Sequence, residues 1–270
     1  MTLPSESRRS AFTLMEVLVV AAIIIIIAVI GSTVWQASQR KANRAAALQK
    51  CKQLGTGLTQ YISSHDNMLP KEEPDSGEST WDAAAQPDAE DAWFNAIPRA
   101  AGGKGTGDYV KEGNFAGFYG KDSLLSLQGV HYPKTHMRKP HYAIAFNTKL
   151  HRKDPKDAAA KDAEPKEKPR LKMGQISNPQ RTVALFEQGI KNEKRAITGM
   201  KSYDGDDCKA GAKQFVARWN ENGMLVFIDG HVEQVKATQI LETSSGLRIK
   251  WAPADAGSIL WCASDKEDPN

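Results

Sequence analysis

Glu16 is the only charged residue in the run Ala11 to Ile30, AFTLMEVLVVAAIIIIIAVI. A carboxylate at bilayer depth costs roughly 2.5 kcal/mol or more, so an ionisable group in such a run is a candidate functional site. The chemistry open to it is pairing with a cation that is equally costly to strand in lipid. The plainer reading is a glutamate near the interface that snorkels toward the headgroups.

Other residue sets could bind or react. Asp204, Asp206 and Asp207 surround Gly205 and offer the oxygens that calcium, a hard cation, requires. Three carboxylates beside a glycine also make an ordinary solvated turn, and no distal ligand is identifiable. His131, His136 and His141 recur every five residues with prolines between them, neither a helical metal pair nor a zinc-finger spacing, and are read as surface or loop histidines. Cys208 and Cys262 could form a disulfide in an oxidising compartment, although spacing alone does not establish the geometry a bridge needs. Cys51 falls on a helical stripe, where a small apolar residue is the ordinary reading. Asp229 and His231 flank Gly230, and a structural Asp-Gly hairpin outweighs a catalytic pair. With no nucleophile elbow, phosphate loop, HExxH or paired-cysteine metal motif, the chain is expected not to be an enzyme. Calcium is the one cofactor considered.

The elements that must position these residues begin with a helix. About 20 apolar residues span a hydrocarbon core of about 30 Å. A secretory signal carries a shorter apolar region of about 7 to 15 residues, followed by a small-residue cleavage site; here the run is longer and more helix follows it. No proline occurs from Ala11 until Pro70, and Ala37, Ala45, Leu48, Cys51, Leu54, Leu58 and Ile62 recur at largely helical spacing. Arg40, Lys41, Arg44, Lys50 and Lys52 form the polar face. One helix over about 13–64 would be about 75 Å long, with residues 12–35 crossing the membrane and 36–66 as its amphipathic continuation. Gly31, Gly55 and Gly57 are its weak points, since glycine costs up to about 1 kcal/mol in a helix interior.

Residues 67–270 form the head. A mean hydropathy of −0.49 despite the isoleucine run makes this part strongly hydrophilic. The net charge of +4 over 270 residues is too small to argue a nucleic-acid partner, and no basic stripe interleaves with aromatics. Residues 71–107 are acidic, then glycine-rich, with one short helix expected from Asp88 to Ile97 and Trp81, Trp93, Phe94 and Ile97 as anchors. Residues 149–172 are charged, of mixed sign and almost without apolar side chains, and are expected to be a flexible insert. Strands are expected at 142–146 and 182–186, and an antiparallel meander at 215–219, 224–228 and 231–235, turning at 220–223 and at Asp229-Gly230. One face of it would pack on the amphipathic half of the helix. A short helical turn is expected at 238–243.

Three stretches resemble one family. Ser7-Arg8-Arg9-Ser10-Ala11, then Phe12-Thr13-Leu14-Met15-Glu16, is similar to the N-terminal signature of type IV prepilins and type II secretion pseudopilins. The segment from Leu48 through Leu54-Gly55 and Tyr61 to Leu69-Pro70 resembles the helix and its exit in bacterial pseudopilin-like proteins. Arg218-Trp219-Asn220 followed by Phe227-Ile228-Asp229-Gly230-His231 resembles a C-terminal motif of a prepilin-like subgroup, His-x9-Asp-Gly, with Trp219 standing where the histidine is expected.

The resemblance implies a leader, residues 1–11, cut between Ala11 and Phe12 by a prepilin peptidase that also methylates the new amine of Phe12. Ala11 replaces the family's usual glycine. Glu16 would pair with the Phe12 amine of its own or a neighbouring chain and set the axial register of assembly. The expected fold is α+β and type IV pilin-like, a long helix on a small antiparallel sheet. The expected function is a structural subunit of a type II secretion pseudopilus or type IV pilus, partnered by like subunits in the inner membrane, with the Arg8–Arg9 flank cytoplasmic and the head periplasmic. The alternative is a membrane-anchored exported binding or hydrolytic domain that does not polymerise.

Overall fold

The computed structural model describes residues 14–133, 138–150, 170–191, 193, 203, 207–243, 246–251 and 257–270. It divides into two compact units, residues 1–42 and 43–270. Helix α1, Leu14–Ser64, belongs to both, and Gly31 does not interrupt it.

In the first unit every described side chain from 14 to 42 is exposed, including Val19, Ile25 and Trp35. From Leu14 to Trp35 the helix is apolar on nearly every side, with Glu16 its single charge. It is long and apolar enough to cross a membrane, since a helix hydrophobic on every side needs an apolar surrounding.

In the second unit α1 becomes amphipathic. Ala47, Cys51, Leu54, Leu58 and Ile62 are buried, the three-and-four spacing of one helical face. The stripe therefore begins at Ala47; Ala37 and Ala45 are exposed. After α1, Asp66 and Asn67 adopt positive φ, a conformation these short polar residues tolerate, and the chain reverses. Four short helices follow: α2 (Trp81–Ala84), α3 (Trp93–Ala100), α4 (Thr106–Lys111) and α5 (Phe115–Phe118). The helix expected at 88–97 is a 3-10 turn at Pro87–Ala89 and then α3. Buried Asn95 ties these pieces together: its amide donates to the carbonyls of Ala84 and Ala89, and its oxygen accepts from Gly107 N. Trp81, Trp93, Phe94 and Ile97 are buried, as expected of anchors.

The sheet has the order β3-β1-β2-β4-β5: β1 (Ile144–Asn147), β2 (Val183–Glu187), β3 (Lys209–Ala210), β4 (Asn222–Phe227) and β5 (Val232–Lys236). It is mixed, not antiparallel throughout, because β3 joins the β1 edge in parallel. The three-strand meander also needs correction. Residues 215–219 form no strand; their backbone pairs only through isolated bridges at Phe215 and Trp219, and β2 takes the place beside β4. One face of the sheet packs on α1, as expected, and the other face is covered as well. Ile144, Phe146, Ala184, Leu185, Met224 and Val226 join the core containing α1, while Ala145, Val183, Phe186, Leu225 and Phe227 join a second core with Phe215 and Trp261. A register shift between Val183 and Leu185 lets β2 serve both. The second core also holds Ile240 of α6 (Ala237–Ile240), Leu241 of β6 (Leu241–Glu242) and Ile249 of β7 (Arg248–Ile249); β6 and β7 pair with each other. Of the charged insert expected at 149–172, residues 151–169 lie outside the described residues. Its two ends are apolar and buried, Leu150 and Leu171, so the insert is shorter than its composition indicates.

Candidate functional site

Of the residues singled out by sequence, Ala11, Phe12, Asp204, Asp206 and His136 lie outside the described residues. Glu16 lies in the first turn of α1 and is exposed with the apolar side chains around it. Asp207 is described: its carboxylate accepts from the backbone N of Cys208 at 2.8 Å. No group of three or more metal-ligating residues occurs among the described residues. The Cys208–Cys262 disulfide that the sequence left open is not formed in the structure; both residues are buried, as is Cys51. Cys208 sits beside β3 with Sγ 3.5 Å from the Glu72 carbonyl, and burial, then nearby Asp207, pushes its thiol well up from its ordinary value. It is therefore a poor nucleophile and metal ligand.

The C-terminal motif builds two features. Its Asp-Gly half is a turn docked on α1. Gly230 has φ 88, the left-handed conformation glycine adopts without cost. A Cβ on Gly55 would lie 2.1 Å from the Gly230 carbonyl oxygen, and one on Gly230 would lie 2.7 Å from Thr59 Cγ2 and 2.8 Å from the Gly55 oxygen. Asp229 Oδ1 accepts from the backbone N and Nδ1 of His231 at 3.2 and 2.6 Å, and the His231 ring stacks on Phe227 with centroids 4.3 Å apart. The pair fastens the turn.

The Arg-Trp half organises a buried ionic centre that the sequence motifs do not mark. Asn220 and Glu221 both have positive φ, and Trp219 and Asn222 exchange backbone hydrogen bonds at 2.9 and 3.1 Å across them, a two-residue hairpin loop. This turn directs Arg218 and Trp219 at the end of β2. Trp219 Nε1 donates to Glu187 Oε1 at 2.7 Å, and Arg218 Nη1 lies 3.3 Å from Glu187 Oε2. Arg218 also grips Glu193 with Nε and Nη2, at 2.9 and 2.6 Å, and donates to the Gln188 carbonyl at 2.6 Å. Glu187 is fully buried. Burial raises its carboxyl to about 7, opposed by Arg218 and the Trp219 bond and assisted by Glu193. Burial works against the Arg218 charge, but the bonds to Glu193 outweigh it and hold the guanidinium above its ordinary value. One cation between two carboxylates is a coupled site whose net charge changes near neutral pH.

With the expected histidine replaced, Trp219 can donate a hydrogen bond but can neither accept nor transfer a proton. Glu187 is fully buried and Arg218 nearly so, while Glu193 is partly exposed; the centre anchors the 218–222 turn to β2. Only its Arg218–Trp219 end was visible in sequence, as part of the C-terminal motif. Glu187 ends an apolar strand, and a lone acid in that position is the one signal from which a buried partner could have been inferred.

Two further cations, one buried and one half-buried, hold the head together. Lys50 of α1 donates to the Ser126 carbonyl at 2.7 Å, its amine lowered to about 8 by burial despite Asp122. Lys209 of β3 pairs with Glu73 at 2.5 Å and Glu72 at 3.3 Å.

Compared with known proteins, the chain matches no family model, no curated protein and no solved structure.

Proposed function

We propose that the chain is a pilin-like structural subunit, cut between Ala11 and Phe12 by a prepilin peptidase and assembled through its N-terminal helix into a type II secretion pseudopilus or a type IV pilus at the inner membrane. The observation that carries this reading is α1. One uninterrupted helix is apolar and exposed on all sides over its first half, with a single carboxylate at Glu16, and is a core element of the head over its second. A cleavable signal would be discarded and a plain anchor needs no carboxylate. A polymerisation helix needs both the apolar surface and a group that fixes register, and a Glu16 carboxylate paired with a neighbour's amine removes two desolvation costs together.

N-terminal mass analysis of the membrane-bound chain tests the proposal. The expected result is a mature protein starting at N-methyl-Phe12. A start after Gly31 or Ser32, or an unprocessed Met1, overturns it.

One observation favours a second reading, a membrane-anchored domain of inverted orientation. Residues 36–55 carry five basic side chains and no acid, against Arg8, Arg9 and Glu6 before the span; basic residues close to a span mark its cytoplasmic side. Protease added to intact spheroplasts separates the two: the first reading expects the head to be digested, the second expects it to be protected.

A further inference from the structure

The residues that follow Glu16 in α1 include no acid: from Val17 to Ser64 the charged side chains are Arg40, Lys41, Arg44, Lys50 and Lys52. Lys50 is consumed internally. Arg40, Lys41, Arg44 and Lys52 are exposed, and none forms an ion pair among the described residues; Arg44 bonds the neutral amide of Gln234. Arg40 and Arg44 lie one turn apart on the same side of the helix, with Lys41 beside them. This helix face is wholly basic, and no acid of the described residues neutralises it.

The complementary surface is on the same chain. Residues 72–91 carry eight acids and no Lys or Arg. Five are neutralised in place: Glu72 and Glu73 by Lys209, Asp75 by Lys71, Glu90 by Arg99, and Asp91 by Arg170. The other three, Glu78, Asp82 and Asp88, make no ion pair among the described residues. They line a single groove of about 350 Å³, together with Ser76, Gln86 and Arg138. The sorting is the informative part: the unneutralised acids are the ones gathered in a concave surface.

We infer that the Arg40–Lys41–Arg44 face of α1 in one copy docks against the Glu78–Asp82–Asp88 groove of a second copy. The inference rests on the assembly reading above and specifies a head-level contact for it. Opposite fields on the two surfaces would steer neighbours into one orientation and disfavour like-to-like approach. The contact would weaken with salt, because exposed pairs are screened within about 10 Å at 0.1 M ionic strength.

The full-length chain in its membrane is treated with a zero-length carboxyl-to-amine cross-linker, using mixed isotope-labelled and unlabelled copies to separate links between copies from links within one. The expected product joins Lys41 to Glu78, Asp82 or Asp88 of a different copy, and its yield falls about tenfold near 1 M salt, where the screening length is about 3 Å. Two triple variants then test the charge pattern. Glu78→Lys/Asp82→Lys/Asp88→Lys and Arg40→Glu/Lys41→Glu/Arg44→Glu should each lose dimer yield by about tenfold when alone. Co-expressed, they should regain it to within about threefold, since each variant's groove then meets an oppositely charged helix. Far-UV circular dichroism of each variant confirms that it is folded, and Asp82→Asn alone, a milder change, should reduce the yield about twofold. Inter-copy links that avoid Lys41, or a mixture no better than its components, overturn the inference. Binding of the basic face to anionic lipid alone, with no Lys41 link to another copy, also overturns it. If Glu16-dependent filaments persist in the acid-reversed triple, the head contact fails while the assembly reading stands. If the charge-dependent dimer forms without filaments, the assembly reading fails and the contact stands.

Discussion

Gly55 and Gly230 meet backbone to backbone: no atom larger than hydrogen fits between the middle of α1 and the turn joining β4 to β5. The helix glycine, a weak point by propensity, is thus required by packing, and the Asp-Gly pair of the C-terminal motif is the surface that requires it. Main chain on both sides leaves no flexible side chain to move aside. Gly55→Ala should therefore cost about 3 kcal/mol and lower the Tm of the head by roughly 6 to 12 °C. Gly77→Ala is the control: φ is also positive at Gly77, but nothing lies within 4 Å, so only backbone strain of about 1 kcal/mol is expected. Thermal unfolding of both variants checks the difference.

The buried carboxyl of Glu187 makes stability depend on pH. Its value rises from an ordinary 4.5 to about 7 in the fold, so between these values the native state holds a proton that the unfolded state has released. By linkage, the Glu187 contribution is fully present below about pH 4.5 and is lost as pH rises through about 7. The swing is on the order of 3 kcal/mol. Denaturant titrations at pH 5.5 and pH 8 should show lower stability at the higher pH, and Glu187→Gln should flatten the profile across that window. An unchanged slope in the variant would assign the pH dependence to other groups.

Trp219 contributes through the same group. Trp219→Phe keeps an aromatic side chain and removes the 2.7 Å bond to Glu187 Oε1. At pH 8 the lost bond is to a carboxylate and should cost about 2 to 3 kcal/mol; at pH 5.5 the acceptor is a neutral acid and the cost should fall to about 1 kcal/mol. Chemical denaturation at the two pH values measures both figures.

Glu16→Ala should leave processing largely intact and abolish assembly, because the cut precedes the residue and register follows it. Blotting for the mature chain reads the first effect, and recovery of sheared polymer reads the second. Normal incorporation of the variant would remove the role given to the carboxylate.

All three cysteines are buried and none is in a disulfide. A thiol-reactive probe should label none in the native head and three after denaturation, and reductant should leave the Tm unchanged. A Tm that drops on reduction would restore the disulfide.

The parts legible in sequence were those with a local cause. α1 was readable from uninterrupted apolar periodicity, β1 and β2 from short runs of branched and aromatic residues, and the Asn220 and Asp229-Gly230 turns from residues that tolerate positive φ. What was missed depends on partners far away in sequence. Phe215 to Trp219 has strand-like composition, but its backbone pairs with the sheet only at its two ends, and β2, some 30 residues earlier, takes the central position. Covering both faces of the sheet requires the C-terminal tail with Trp261, which carries no periodic signal. The relation of Cys208 to Cys262, 54 positions apart, was left open because spacing carries no geometry. At the buried centre Arg218 was visible as a motif residue. Glu187 was not, because an acid at a strand end is ordinarily solvated.

The docking of the Asp-Gly turn on α1 also sets a clock. Gly55 leaves the ribosome about 175 positions before Gly230, which at about 5 to 20 residues per second is roughly 10 to 35 s. Throughout that interval the Ala47–Ile62 stripe exists without the strands β4 and β5 that will close over it. The nascent head is therefore most open to proteases and to mispairing after its longest element is complete, until the β4–β5 hairpin arrives.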